Sequence, residues 1–218
     1  GEIFILDVNK NGDIVKNILF KEKGDFEGIE MANGAIYAIQ SNGKLFEISQ
    51  WNTGNPPQIN NYAILPDEEH DIEGLGYDAR RNALLIACKE DPEQNIPRNI
   101  WAFDLATKKL LDKPVYTIRP DDIDKKVPLN DGDKDRKFSP SGIAIQPQTG
   151  DIYVISTSLK RLAVLDYTSG AVKTAFRIDK DVLPQPEGIS FDKAGNLYIS
   201  SEKKKDAAAL LKFDLLKH

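Results

Sequence analysis

Apolar side chains occur along this chain in short runs that are separated by turn residues. Four of the runs begin alike, with a polar residue, then Gly, then an apolar residue. We call these four segments the openers, and they are Glu27–Met31, Glu73–Tyr77, Ser141–Ile145 and Glu187–Phe191. Their glycines stand 46, 68 and 46 residues apart, and self-similarity at such a period is typical of a repeat architecture.

The same succession of turns and strands follows each opener. The second strand of a repeat is a continuous apolar run, which suits a strand covered on both faces, whereas the third alternates apolar and polar residues. The predicted second strands are Ala35–Ile39, Ala83–Cys88, Ile152–Ile155 and Leu197–Ile199. The predicted third strands are Lys44–Ile48, Ile100–Leu105, Arg161–Leu165 and Leu210–Asp214, and the predicted fourth strands are Ile59–Leu65, Val115–Ile118 and Val172–Ile178. Four strands per repeat is typical of a propeller blade.

Two further strands precede the first opener, at Glu2–Val8 and Asp13–Phe20, and they match the third and fourth strands of a blade. We therefore predict an all-β fold, a five-bladed β-propeller of four-stranded antiparallel blades whose first blade is incomplete in this chain. The missing opener, and a strand that completes the last blade, are expected upstream of Gly1. The single predicted domain has a half blade at 1–20, full blades at 26–65, 72–118 and 140–178, and a last blade at 186–215.

The charge balance of the chain restricts its partners. The sequence has 29 Lys and Arg residues against 34 Asp and Glu residues, a net charge of −5, which argues against nucleic acid as the main partner. No window of eighteen consecutive apolar residues occurs, so no transmembrane segment is predicted in this chain. Cys88 is the only cysteine, and its position in an apolar run predicts a buried core residue.

Three of the four openers place a Glu directly before the Gly, at Glu27, Glu73 and Glu187. Because the first strand of each blade lines the central channel of a propeller, we expect these residues to converge at one mouth of the channel. Carboxylates that face one another repel unless a cation or protons neutralise them, and Ca²⁺ prefers oxygen ligands of this kind. The sequence therefore predicts a calcium site. The alternative is that each Glu caps backbone amides or pairs with a Lys such as Lys89.

Other polar residues are predicted near the same mouth, either just before an opener or just after a second strand. The candidate ligand-binding residues are Gln40, His70, Asp71, Lys89, Ser141 and Glu202. A histidine beside a metal ion is able to act as a general base, so His70 is a candidate base, with a loop histidine of no catalytic role as the alternative. No nucleophile motif such as Gly-x-Ser-x-Gly occurs, and no catalytic residue is assigned.

The longest spacing between openers contains two polar inserts, Glu90–Asn99 and Arg119–Phe138. The second insert has alternating aspartates at Asp131, Asp133 and Asp135, but it lacks the Gly and the final Glu that an EF-hand calcium loop requires. We therefore predict a solvated loop that lies over the channel mouth.

Longer segments around the openers resemble one protein family. These segments are DFEGIEM, DIEGLGYD, FSPSGIAIQPQTGDIYVIS and QPEGISFDKAGNLYISSE. In this order they resemble the SdiA-regulated (YjiK-like) proteins of bacteria, over nearly the whole chain. The resemblance implies a five-bladed propeller distantly similar to NHL-repeat propellers. It also implies a periplasmic or secreted protein, or a lipoprotein of the outer membrane, with a calcium site shared across the family and no established activity.

The sequence and the resemblance together favour a calcium-binding propeller of the cell envelope that acts as a ligand-binding or scaffolding module. Its partner would be a small molecule or another envelope protein. The alternative is a calcium-dependent hydrolase, namely a lactonase, an esterase or a phytase-like phosphoesterase, because a channel calcium ion is able to act as a Lewis acid. A third possibility is a protein-interaction platform that uses the edges of the blades.

Overall fold

The computed structural model describes residues 1–20, 22–64, 71–90, 93–133, 136–202 and 208–214. Within these ranges the chain forms antiparallel sheets in a propeller-like arrangement. Four of the sheets begin with an opener strand and make up the blades, and a two-stranded hairpin precedes them. The hairpin consists of β1 (Glu2–Asp7) and β2 (Asp13–Leu19).

The strands of each blade are hydrogen-bonded in the order in which the chain runs, from the opener outwards. Blade 1 contains β3 (Phe26–Ala32), β4 (Ala35–Gln40), β5 (Lys44–Ser49) and β6 (Gln58–Ala63). Blade 2 contains β7 (Ile72–Asp78), β8 (Ala83–Cys88) and β9 (Arg98–Asp104), with β10 (Lys109–Leu110) and β11 (Tyr116–Ile118) both paired to β9. Blade 3 contains β12 (Gly142–Ile145), β13 (Ile152–Ser156), β14 (Arg161–Leu165) and β15 (Val172–Arg177). Blade 4 contains β16 (Pro186–Phe191), β17 (Leu197–Ser201) and β18 (Ala209–Phe213).

The prediction of five blades is wrong, because the described residues form four. The hairpin β1–β2 has no opener strand and forms a sheet of its own. It packs Ile3 and Ile18 against Ile36 and Phe46 of blade 1. Its apolar face is therefore buried against blade 1, and no other described strand pairs with it.

The apolar second strands of blades 1 and 2 are covered on both faces, as their sequence predicts, whereas β17 of blade 4 has only Ile199 and Ser201 buried. All six residues of β4 and all six of β8 are buried, and Cys88 is fully buried within β8, which confirms its predicted place in the core. A two-residue turn joins β3 to β4 through Asn33 and Gly34, which have φ angles of 50° and 80°. Positive φ at both central residues is the geometry of a type I′ turn, and it explains the Asn-Gly pair at this position.

The openers pack against one another around the axis at very short range. A Cβ atom built on Gly76 would lie 2.7 Å from the backbone oxygen of Ile143, and one built on Gly142 would lie 2.5 Å from the backbone oxygen of Glu187. The absence of a side chain at these glycines is therefore what permits the close approach of one opener to the next.

A short helix, α1 (Pro120–Asp124), lies in the second insert, where the sequence analysis predicted only a loop. Pro120 at the first helical position and Asp121 and Asp122 in the first turn favour its start. Ile123 is fully buried in the same apolar cluster as Phe138. The insert is thus anchored to the core between blades 2 and 3. No helix in the described part of the chain is long and apolar enough to cross a membrane.

A candidate metal centre at the channel mouth

Three carboxylates meet where the opener strands begin. Each of Glu27, Glu73 and Glu187 offers one carboxylate oxygen, and these atoms all lie within 4.8 Å of one another. Glu73 is buried, with 7% of its surface exposed, and the other two are half-buried. We call these three residues the glutamate cluster. The convergence predicted from the repeat is therefore present in the structure.

A backbone irregularity accompanies each of the three glutamates. The pairing of β3 with β4 shifts register between Phe26 and Gly28, and the pairing of β7 with β8 shifts between Ile72 and Gly74. The first strand of blade 4 shows the same shift directly around Glu187. An extra residue in one strand re-aims its side chain, so the bulge is the local device that turns each Glu toward the channel. The sequence analysis did not predict it.

Burial and mutual repulsion make the cluster hard to ionise completely. Burial, followed by the negative charge of Glu73, raises the pKa of Glu27 to about 7. The same two causes, joined by the charge of Glu202, raise the pKa of Glu187 to about 7. Burial also raises the pKa of Glu73, although the hydrogen bond from Lys89 acts in the opposite direction. The arrangement is therefore suited to hold a cation or to share protons.

Lys89, at the end of β8, is the cation next to the cluster. Its Nζ donates a hydrogen bond to Oε1 of Glu73 and lies 3.6 Å from Oδ2 of Asp71. Burial alone would lower the pKa of Lys89, but the hydrogen bond and charge of Glu73 raise it. The sequence analysis had offered pairing with Lys89 as an alternative to metal binding. The structure shows that pairing for one of the three glutamates.

The third opener, Ser141–Ile145, contributes no carboxylate, and its Ser141 has a different set of contacts. The buried Oγ of Ser141 donates to the backbone oxygen of Pro186 at 2.9 Å and accepts a hydrogen bond from Oγ1 of Thr157 at 3.0 Å. These bonds join blade 3 to the start of β16. Gln40, another predicted ligand-binding residue, is also buried and donates to the backbone oxygen of Lys23 at 3.1 Å.

The remaining predicted ligand-binding residues lie around the rim. Asp71 and Glu202 are exposed, and Glu202 lines a cavity of about 740 Å³ together with Asp25, Lys89 and the glutamate cluster. His70 lies outside the described residues, so its role as a general base stays a prediction. In the second insert Asp133 pairs with Arg161 at 3.5 Å, and Asp135 lies outside the described residues.

A second cavity, of about 720 Å³, is also lined by the glutamate cluster. Its walls are largely apolar and come from the hairpin and from all four blades, with Leu75 of blade 2 and Ile143 of blade 3 beside the residues of blades 1 and 4. They include Ile3, Phe26, Ile29, Met31, Ile189 and Leu210. The glutamate cluster therefore lines both cavities, the first with further charged residues in its wall and the second largely apolar, so that solvent or a ligand in either cavity reaches its oxygens.

The raised pKa values predict an unusual dependence of stability on pH in the absence of a cation. The ordinary pKa of a Glu is 4.5, while Glu27 and Glu187 titrate at about 7 in the folded chain. Between these values the folded state binds more protons than the unfolded state, so the free energy of unfolding falls as the pH rises from about 5 to about 7. We expect a loss of about 2 kcal/mol in total, because solvent exposure screens both carboxyls.

Denaturant unfolding in a chelating buffer at several pH values measures this loss. The double variant Glu27→Gln, Glu187→Gln is expected to flatten the profile, because neither amide titrates. A wild-type chain whose stability rises with pH over the same interval would show that the two carboxyls are not held protonated by the fold.

The comparisons with known proteins agree with the fold. A family model described as SdiA-regulated matches residues 2–204. A protein of unknown function from Bacteroides caccae superposes with a TM-score of 0.51 at 12% identity, over 91% of this chain and 61% of that one. The glutaminyl cyclase of Myxococcus xanthus superposes with a TM-score of 0.57 at 15% identity, over 92% of this chain and 76% of the cyclase.

Hydrazine synthase of Kuenenia stuttgartiensis is similar at a TM-score of 0.50 and 12% identity, over 93% of this chain and 49% of that one. At identities this low the similarity concerns the fold alone. The chain spans about three fifths of the length of the Bacteroides caccae protein.

Proposed function

We propose that this chain, which belongs to the SdiA-regulated family, binds calcium at the glutamate cluster and acts as a ligand-binding or scaffolding module of the cell envelope. The observation that carries the proposal is the convergence of three carboxylate oxygens within 4.8 Å. Three separate bulges produce this convergence, one in each of three blades. A glutamate that stabilised only its own blade would not require a bulge that turns its side chain toward the other two glutamates.

The donor set fits a hard divalent cation. Calcium takes six to eight oxygen ligands, and three carboxylates supply about three to six of them, depending on whether each binds through one oxygen or two. Glu27, Glu73 and Glu187 are all oxygen donors, and the cluster contains no His or Cys among the described residues, so it lacks the nitrogen and sulfur donors that zinc and copper favour. The remaining positions would be filled by water or by an oxygen of a bound partner.

The two adjoining cavities support a role in binding. A calcium ion held by the cluster would face both the polar cavity and the apolar one, so a partner with an oxygen atom at one end is able to complete the coordination. A small molecule and a segment of another envelope protein both meet this requirement. The periplasmic, secreted or lipoprotein location is proposed from the family to which the chain belongs.

A calorimetric titration with calcium tests the proposal. We expect one ion per chain for the wild type. Single variants Glu27→Gln, Glu73→Gln and Glu187→Gln should each weaken binding at least tenfold, because each removes a charged ligand. Glu202→Gln is the matched control, since it removes a nearby carboxylate that is not part of the cluster. Equal binding by all five proteins would refute the site.

Replacing Lys89 with Met is expected to strengthen calcium binding by about tenfold. Lys89 donates to Glu73, so its ammonium group competes with an incoming ion for the same carboxylate and adds a repulsive positive charge. Met keeps a long unbranched side chain without the charge. The same titration measures the effect, and binding that weakens in Lys89→Met would mean that the lysine supports the site instead of competing for it.

A further inference from the structure

The bulge of blade 4 begins at a proline, and this distinguishes it from the bulge of blade 2. The residue before Glu73 is Ile72, whose amide donates to the backbone oxygen of Ser41 at 3.0 Å. Ser41 directly follows β4, so this bond ties the bulge of blade 2 to the preceding blade. The residue before Glu187 is Pro186, which has no amide hydrogen. Blade 4 therefore requires a different attachment to blade 3 at this point.

Two hydroxyls of blade 3 supply that attachment. Thr157 directly follows β13, the same place in blade 3 that Ser41 occupies in blade 1. Its Oγ1 donates to the backbone oxygen of Pro186, and Oγ of Ser141 donates to the same oxygen at 2.9 Å. The amide of Thr157 donates in turn to Oγ of Ser141 at 3.2 Å. The two side chains thus form one unit that holds the carbonyl group of Pro186.

The third opener suits this attachment and does not suit a fourth carboxylate. β12 pairs with β13 without a register shift, so blade 3 lacks the bulge that turns each Glu toward the channel. The amide of Ser141 donates to the backbone oxygen of Ile155 at 2.8 Å, and Ser141 is 3% exposed. The hydroxyl of Ser141 is therefore held within the interface between blades 3 and 4.

Thr157 also reaches the carboxylate of Glu187. Burial is the main cause that raises the pKa of Glu187 to about 7, and a hydrogen bond from the side chain of Thr157 acts in the opposite direction. Such a bond favours the ionised form of a carboxyl, which is the form that binds a cation. The hydroxyl of Thr157 has only one hydrogen to donate, and a bond to an ionised carboxylate is stronger than one to a neutral oxygen. Once Glu187 is ionised, the hydrogen therefore goes to its carboxylate, while Ser141 continues to hold Pro186.

We propose that Thr157 is the positioning residue of Glu187 in the calcium site. Its hydroxyl donates to one carboxylate oxygen of Glu187 and leaves the other oxygen free to bind the ion, in the way that groups beside a metal site commonly orient its ligands. Ser141 fixes the bulge from which Glu187 projects by holding the carbonyl of Pro186. This role of Thr157 rests on the calcium site proposed above, and it gives blade 3 a part in ion binding although blade 3 contributes no carboxylate.

Calcium titration of Thr157→Val and Thr157→Ser tests this role. Val has the shape of Thr without the hydroxyl, so we expect the dissociation constant for calcium to rise by about tenfold. Ser retains the hydroxyl and is expected to bind calcium within about twofold of the wild type. Thr117→Val is the matched control, because it also removes a hydroxyl that donates to a side-chain oxygen, in this case Oδ1 of Asn99 in the outer strands of blade 2. It should bind calcium as the wild type does.

A double-mutant cycle separates positioning from a general loss of blade packing. If Thr157 acts through Glu187, then Thr157→Val changes calcium binding by less than about twofold in a Glu187→Gln background. An equal loss in both backgrounds would overturn the positioning role. So would a Thr157→Val chain that binds calcium normally, or a Thr157→Ser chain that binds as weakly as Thr157→Val. A wild-type chain that binds no calcium would refute the calcium site itself, and Thr157 would then have no ion ligand to position.

Discussion

Calcium at one hundred times its dissociation constant is expected to raise the thermal midpoint of the wild-type chain by about 5–10 °C. A ligand that binds only the folded state contributes about 2.7 kcal/mol at that concentration. For a domain of this size, 1 kcal/mol corresponds to about 2–4 °C. The rise is expected to be larger at pH 8 than at pH 6, because Glu27 and Glu187 release their protons near pH 7 and a protonated carboxyl does not bind the ion.

The variants of the cluster distinguish an ion site from a structural group of carboxylates. Glu187→Gln is expected to reduce the calcium-dependent rise of the thermal midpoint to less than about 2 °C. Without calcium its midpoint should equal or exceed that of the wild type, because the charge repulsion among the three carboxylates is reduced. Glu73→Gln should also abolish the rise, but it should lower the midpoint without calcium, because Lys89 loses its partner. Differential scanning fluorimetry with Glu202→Gln as the control measures all of these shifts. An equal calcium-dependent rise of the thermal midpoint in every variant would show that calcium binds outside the glutamate cluster.

Gly142→Ala is expected to destabilise the chain by about 3 kcal/mol or more, which corresponds to a fall in midpoint of about 6–12 °C. Its Cβ atom would lie 2.5 Å from the backbone oxygen of Glu187 and 3.1 Å from Cγ1 of Ile155. Backbone cannot rotate out of the way as a side chain does, so blades 3 and 4 have to separate. Since Glu187 moves with that backbone, calcium binding should also weaken.

Gly188→Ala is the matched control for this prediction. Its Cβ atom would approach only Oγ of Ser200, a side chain that is free to change rotamer, although it would lose its hydrogen bond from the Gly188 amide. We expect a loss of about 1 kcal/mol. Chemical unfolding of both variants measures the difference. Equal losses would show that the openers of blades 3 and 4 do not pack at the distance seen in the structure.

Much of the fold was predictable because it repeats. The four openers form strands β3, β7, β12 and β16, and the shared position of three glutamates before the opener Gly places them at the same end of their strands. The number of blades was predicted wrongly, because β1 and β2 have the polar and apolar pattern of outer blade strands but pair with no other described strand. Helix α1 was missed because its five residues are too few to show a helical period in sequence.

The detailed contacts of the site depend on how strands and blades pair with one another, which the sequence of a single strand does not determine. The bulges at the glutamates arise from the register between an opener and its second strand, so the sequence of the opener alone does not reveal them. The hydrogen bond between Lys89 and Glu73 joins two strands of one blade, and Ser141 is held by Pro186 and Thr157 from two blades. Ser141 was predicted as a ligand-binding residue from its position before a Gly, which stays a prediction, and the contacts of its hydroxyl join blades 3 and 4.

An X-ray diffraction experiment on crystals grown with calcium, with anomalous scattering to identify the ion, tests the central claim most directly. We predict one calcium ion at the channel mouth, with carboxylate oxygens of Glu27, Glu73 and Glu187 at about 2.3–2.6 Å and Lys89 displaced from Glu73. An anomalous map with no ion at the cluster in saturating calcium, and with Lys89 still bonded to Glu73, would contradict the account.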